Sequence, residues 1–173
     1  FNDEVLQAKT NNFLCAIHYG KKLLGISFLD VSTGEFMTTQ GSAEYIDKLL
    51  QNFKPSEILI PKQKKLEFAD VFGSNHHVFY LEDWVFKTDF AEEKLITHFD
   101  TSSLKGFGIE DLSEGIIASG AVLYYLSETR HNKLQHITSI ARIAEDAYVW
   151  MDRFTVRNLE LYASTSFNAI TLL

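Results

Sequence analysis

Apolar and polar positions along this chain change period near residue 42, and the two regimes predict different elements. Residues 13–19 form an almost unbroken apolar run between Asn11-Asn12 and Gly20. A run of that length bounded by turn-formers predicts a buried strand. Lys21-Lys22 supplies a turn, and residues 23–31 predict a second strand. Ser32-Thr33-Gly34 predicts a tight turn in which Gly34 takes positive φ. Residues 35–39 predict a third strand, so the three together read as an antiparallel meander.

From Ser42 the spacing turns helical. Ser42 is placed to cap a helix whose Ile46, Leu49, Leu50 and Phe53 make one apolar stripe, and Pro55 ends it. Residues 57–60 predict a short strand, 64–72 a short helix and 77–81 another strand. Asp89 and Glu92 have capping-box spacing, with Ala91, Leu95, Ile96 and Phe99 as that helix's inner face. Ser113 is expected to cap the longest helix, with Ile116, Ile117, Gly120, Leu123, Tyr124 and Ser127 along one side. Residues 137–151 read as extended. Thr155 is expected to cap a last helix, with Val156, Leu159 and Ala163 on one face.

The order β-β-β-α-β-α-β-α-α predicts an α/β fold: a mixed sheet, three antiparallel strands then alternating helices and strands, flanked by helices. The ribonuclease H-like fold has this order, an analogy that says nothing about chemistry. The run from Met151 to Leu161 opens a new element, and the chain stops a dozen residues later. The expected organisation is therefore one domain over residues 1–151 and the truncated beginning of another over 152–173. On this reading the chain is a piece of a larger protein.

Charge narrows the function. Sixteen basic against 23 acidic residues leave a net charge of −7, which argues against wrapping a nucleic-acid backbone. The densest basic cluster, Lys62, Lys64 and Lys65, reads as a solvated face rather than a phosphate track. Cys15 is the one cysteine, so no internal disulfide forms, and a buried thiol in a reducing cytoplasm is expected. The longest uncharged apolar stretch, residues 115–126, is too short to span a bilayer.

Candidate chemistry is sparse. Two-metal nuclease cleavage needs several carboxylates converging within about 4 Å of a metal pair. The first strand carries no acid, and Asp30, beside Ser32-Thr33-Gly34, reads as a turn-former. Cys15 and His18, three apart on a strand, point to opposite faces, and the adjacent His76-His77 also point apart. No metal site is expected from either pair. Gly106-Phe107-Gly108 precedes a helix, but Glu110, Asp111 and Glu114 would repel a phosphate there. No P-loop or G-x-S-x-G elbow occurs. The residues thus predict a domain without a catalytic site. A degenerate metal-dependent nuclease is the alternative, and a regulatory small-molecule-binding domain is a third reading.

Four segments together resemble the MutS family of bacterial DNA mismatch-recognition proteins. Leu29-Asp30-Val31-Ser32-Thr33-Gly34-Glu35-Phe36 looks like the hairpin of the family's connector domain, and Pro55-Ser56-Glu57-Ile58-Leu59-Ile60-Pro61 like its first crossover strand. Gly106-Phe107-Gly108 stands before the long helix, as in the family. Gln135-His136-Ile137 and then the 151–161 run, with Asp152, Thr155, Arg157, Asn158, Leu159 and Glu160 in register, resemble the passage from connector into core. Val156 stands where the family pattern has a second Arg. The resemblance implies a non-catalytic connector with a ribonuclease H-like fold, linking mismatch-binding and ATPase regions that lie outside this chain. It also implies mismatched DNA, ATP and Mg as ligands of the full-length protein only, a full-length homodimer, no membrane association and MutL as partner. In the family the MutL-docking surface includes polar residues on the helix matching residues 90–99. Here Glu92, Glu93 and Lys94 occupy that region.

Overall fold

The computed structural model describes residues 12–129 and 134–144. Its centre is a six-stranded mixed sheet with the order β5-β4-β1-β2-β3-β6. The strands are β1 (Phe13–Tyr19), β2 (Leu24–Asp30), β3 (Phe36–Gly41), β4 (Glu57–Pro61), β5 (Val78–Leu81) and β6 (Ala141–Arg142). The first three form the expected antiparallel meander, with Cys15 opposite Phe28 and Ser27 opposite Thr38. β4 then returns parallel to β1, β5 parallel to β4, and β6 parallel to β3.

The continuous apolar runs follow from burial on both faces of the sheet. Phe13, Cys15 and Ile17 of β1 join Ile26, Phe28, Ile58 and Ile60 in one core. That core is closed by α1 (Ala43–Phe53) and α2 (Lys65–Phe72). Leu14, Ala16, Leu29 and Leu59 face the other way, into a core closed by α3 (Thr88–Phe99) and α4 (Ser113–Thr129). The two long helices cross closely at Gly120, where an added Cβ would lie 2.5 Å from both Cα and Cβ of Ala91.

Local signals resolve in two ways. Ser42 caps α1 as expected, its Oγ accepting the Tyr45 N–H at 3.2 Å, and Lys54 closes that helix in the left-handed region before Pro55. Gly34 takes φ +83 in the predicted turn. The capping box at Asp89 and Glu92 does not form. α3 begins two residues earlier, with Lys87 at the cap and no side-chain bond to it. Asp89 instead sits inside the first turn, where its charge suits the helix dipole.

Nor does Ser113 cap α4, being already its first helical residue. The cap comes from β3, where Gln40 Oε1 accepts the Glu114 N–H at 2.8 Å and the Gly115 N–H at 3.3 Å. A side chain brought in by the sheet satisfies donors that a local residue was expected to satisfy. Of the extended segment expected at 137–151, residues 137–144 are described, and only Ala141–Arg142 pairs as a strand. His77 lies just before β5 rather than in it, although its carbonyl accepts the Ile58 N–H at 2.8 Å. The last helix expected from Thr155 lies outside the described residues, as does the boundary at 151/152.

Candidate functional site

The carboxylate nearest to a nuclease position is fully committed to structure. Asp30 is 1% exposed at the end of β2. Its Oδ1 accepts the Ser32 N–H at 2.9 Å and the Thr33 N–H at 3.3 Å, and its Oδ2 accepts the Asn12 N–H at 3.3 Å. The Gly34 N–H closes the turn on the Asp30 carbonyl at 2.7 Å. This is the turn-forming role expected from its neighbours. Among the described residues, no group of three or more His, Cys, Asp or Glu side chains is placed to hold a metal ion.

Cys15 and His18 do fall on opposite faces. Cys15 is fully buried, and burial pushes its thiol well above the ordinary range, away from the nucleophilic thiolate. His18 lies at the other face, its Nε2 3.0 Å from Glu114 Oε1 and its ring stacked on Phe86 at 6.1 Å. Burial first, then the charges of Lys87 and Lys64, bring its pKa down to about 4. The distance alone would suggest an ion pair. Burial outweighs the carboxylate, so we read a neutral imidazole donating Nε2–H to Glu114.

The Gly106–Gly108 loop also has a structural use. Gly108 takes φ +73, and its carbonyl accepts Arg142 Nε at 3.3 Å. Arg142 pairs as well with Asp111, holding that carboxyl below its usual range. The loop grips the segment that returns over the sheet edge rather than an anion. A cavity of about 500 Å³ opens at the far end of the sheet, lined by Asn12, Ser32, Ser56, Glu57, Tyr125 and Thr129 among others. Its charged lining group, Glu57, accepts the Tyr125 hydroxyl at 3.3 Å. Among the described residues of that lining the carboxylate has no cation beside it, which gives a phosphate no partner there.

The outer face of α3 is the most distinctive surface. Glu92 and Glu93 stand exposed to solvent, whereas Lys94 is half-buried, its Nζ 5.8 Å from the centre of the Tyr124 ring. Tyr124 belongs to a cluster with Trp84 and Phe90. The structure therefore brings Lys94 over the Tyr124 ring and leaves Glu92 and Glu93 open to solvent. Sequence reading missed this cluster, because its rings come from three separate segments. The half-exposed Trp84, off any helical stripe, was the available signal. Asp152, Thr155, Arg157, Asn158, Leu159 and Glu160 lie outside the described residues.

Residues 12–138 match the family model described as MutS domain II. The chain is 73% identical, over 99% of its length, to a DNA mismatch repair protein MutS from Flavobacterium psychrophilum, and covers 20% of that protein. It is 56% identical over its full length to the MutS of Cytophaga hutchinsonii, and 55% identical over 99% of its length to that of Bacteroides fragilis, again covering 20% of each. The chain thus spans about a fifth of the length of the curated relatives it matches.

Proposed function

The chain belongs to the MutS family of DNA mismatch repair proteins and carries its domain II, and we propose that it serves there as a non-catalytic connector with a docking surface for MutL. Mismatched-DNA binding, ATP and Mg binding, and dimer formation belong on this reading to other parts of the full-length protein. The strand order β3-β2-β1-β4-β5 within the sheet supports a ribonuclease H-like body for the connector.

One observation carries the connector reading: the outgoing segment, residues 134–144, is stapled to the body. Ile137, Ile140 and Ile143 are 2–3% exposed. His98 Nε2 on α3 meets the Ile137 carbonyl at 2.7 Å, and His136 Nε2 meets the Val31 carbonyl. The Ile143 N–H donates to the Thr38 carbonyl at 2.9 Å, and Arg142 reaches Asp111. A body fixed to the chain that leaves it passes on rigid motion, which is what a mechanical link requires.

The reading predicts that the isolated 173-residue chain binds DNA weakly, with strong salt sensitivity, and hydrolyses no ATP. Tight mismatch-specific binding by this chain alone would overturn it. For the docking surface, Glu93→Lys or Lys94→Glu in the full-length protein is expected to weaken MutL binding in a titration on mismatched DNA with ATP. Unchanged affinity in both variants removes α3 from the interface.

A further inference from the structure

Trp84 lies in a 3₁₀ turn, Asp83–Val85, that leads into α3. The turn is pinned from beneath, since Val85 and Phe86 are 1% and 5% exposed. Trp84 itself is 51% exposed. Its ring is nonetheless fixed. It meets Phe90 at 5.4 Å and 88°, and Tyr124 at 5.4 Å and 74°, while Phe90 and Tyr124 meet each other at 5.6 Å and 70°. Three edge-to-face contacts close a triangle, the favoured geometry for aromatic pairs. Lys94 covers part of the Tyr124 ring, so Trp84 is the member left open to solvent.

A large indole held in one orientation at a surface loses little further freedom when a partner covers it. Tryptophan and tyrosine in such settings are the residues that most often dominate binding energy between proteins. The charges beside the triangle define the partner's chemistry. Asp83 precedes Trp84 directly, Asp89 precedes Phe90, and Glu93 lies one helical turn beyond Phe90. Against these three carboxylates stand two lysines, Lys94 over the Tyr124 ring and the exposed Lys87, while Lys62 is paired with Glu82. The aromatic triangle therefore has a net acidic border.

We propose that Trp84, held by Phe90 and Tyr124, is the anchor of a protein-docking surface whose partner presents an apolar recess bordered by arginine or lysine. The inference rests on the docking reading above and assigns this surface to the same MutL partner. It differs from that reading in placing the binding energy on a ring outside α3 rather than on the helix's polar residues.

The test uses the full-length protein, on mismatched DNA with ATP, and titrates MutL against Trp84→Ala, Trp84→Phe and Trp84→Lys beside Glu93→Lys. Trp84→Ala is expected to weaken binding about 30-fold or more, the threshold of an interface hot spot. Trp84→Lys, which turns a cation toward a basic border, is expected to do at least as much harm, and Trp84→Phe to retain most of the affinity. Should Trp84→Ala melt early, the Phe and Lys variants decide the matter, and equal affinity of those two overturns the anchor. If Glu93→Lys weakens binding while every Trp84 variant binds like the parent, the docking surface stands and this inference falls. If none of the four variants weakens binding, both fall together.

Discussion

Asp30 separates a structural carboxylate from a catalytic one, and the two roles predict opposite responses to substitution. Its carboxylate receives three backbone N–H groups, those of Asn12, Ser32 and Thr33. Hydrogen bonds to a charged acceptor contribute about 1.5–3 kcal/mol each. The three do not add in full, because Asn12, Ser32 and Thr33 are exposed and their donors find water once the acceptor is gone. Asp30→Ala should therefore cost about 2–3 kcal/mol. Asp30→Asn keeps an oxygen for Ser32 and Thr33 and loses the charge and the bond to Asn12, a cost of about 1 kcal/mol. Urea unfolding of the 173-residue chain measures both. With a denaturant slope of about 2 kcal/mol/M, the alanine midpoint should fall by about 1–1.5 M at unchanged slope. Mg²⁺ or Mn²⁺ should leave the melting temperature of parent and variants alike, since a metal bound to the native state would raise it. An alanine variant as stable as the parent refutes the turn-anchor argument. A Mg²⁺-induced rise that disappears in Asp30→Asn would revive the nuclease reading.

Two further outcomes follow from the same geometry. Gln40→Ala removes the cap of α4 and should cost about 1 kcal/mol, with hydrogen exchange accelerated at the Glu114 and Gly115 amides; unchanged exchange at both would refute the cap. His18 has a pKa depressed to about 4 in the folded chain against an ordinary 6.5, so the unfolded chain binds the extra proton first. Its contribution to stability is complete above pH 6.5 and is lost as pH falls from there toward 4, by up to about 2 kcal/mol after allowance for solvent reach. The difference between parent and His18→Gln should show that slope in denaturation between pH 7 and pH 4, and a flat difference refutes the neutral buried imidazole.

What the sequence made legible was whatever a few neighbours decide. β1 and β2 announce themselves because both of their faces are buried, and the meander because Ser32-Thr33-Gly34 joins strands that touch. Asp30 and Ser42 act within three residues of themselves, so their roles as turn-former and cap were readable. Gln40 was not readable as a cap, because the donors it satisfies lie 74 and 75 residues away and meet it only once the sheet has placed α4. β6 carries no periodic signal, both of its residues being exposed, and exists because Thr38 offers an outward carbonyl to Ile143. The Trp84 triangle depends on a 3₁₀ turn, one helix and the far end of another. Its members each read locally as surface or core, and only their approach makes a site.

The same long-range contacts bear on how the proposed connector would act. α3 holds Phe90 and Lys94 at the aromatic cluster and, one turn after Lys94, His98 against the outgoing segment at Ile137. Part of the proposed docking surface and a clamp on residues 134–144 thus share a single twelve-residue helix. α3 is itself locked to α4 where Gly120 admits Ala91, and α4 is tied to the sheet through Gln40. Within that arrangement a displacement of α3 cannot be absorbed by the helix alone, because its inner residues Ala91 and Leu95 are fully buried against neighbours that would have to move with it. Packed interiors yield by whole-element shifts rather than by continuous deformation. Force applied at the Trp84 surface therefore has two routes, into the sheet by way of α4 and into residues 134–144 by way of His98. The second is the shorter, crossing one hydrogen bond between helix and strap.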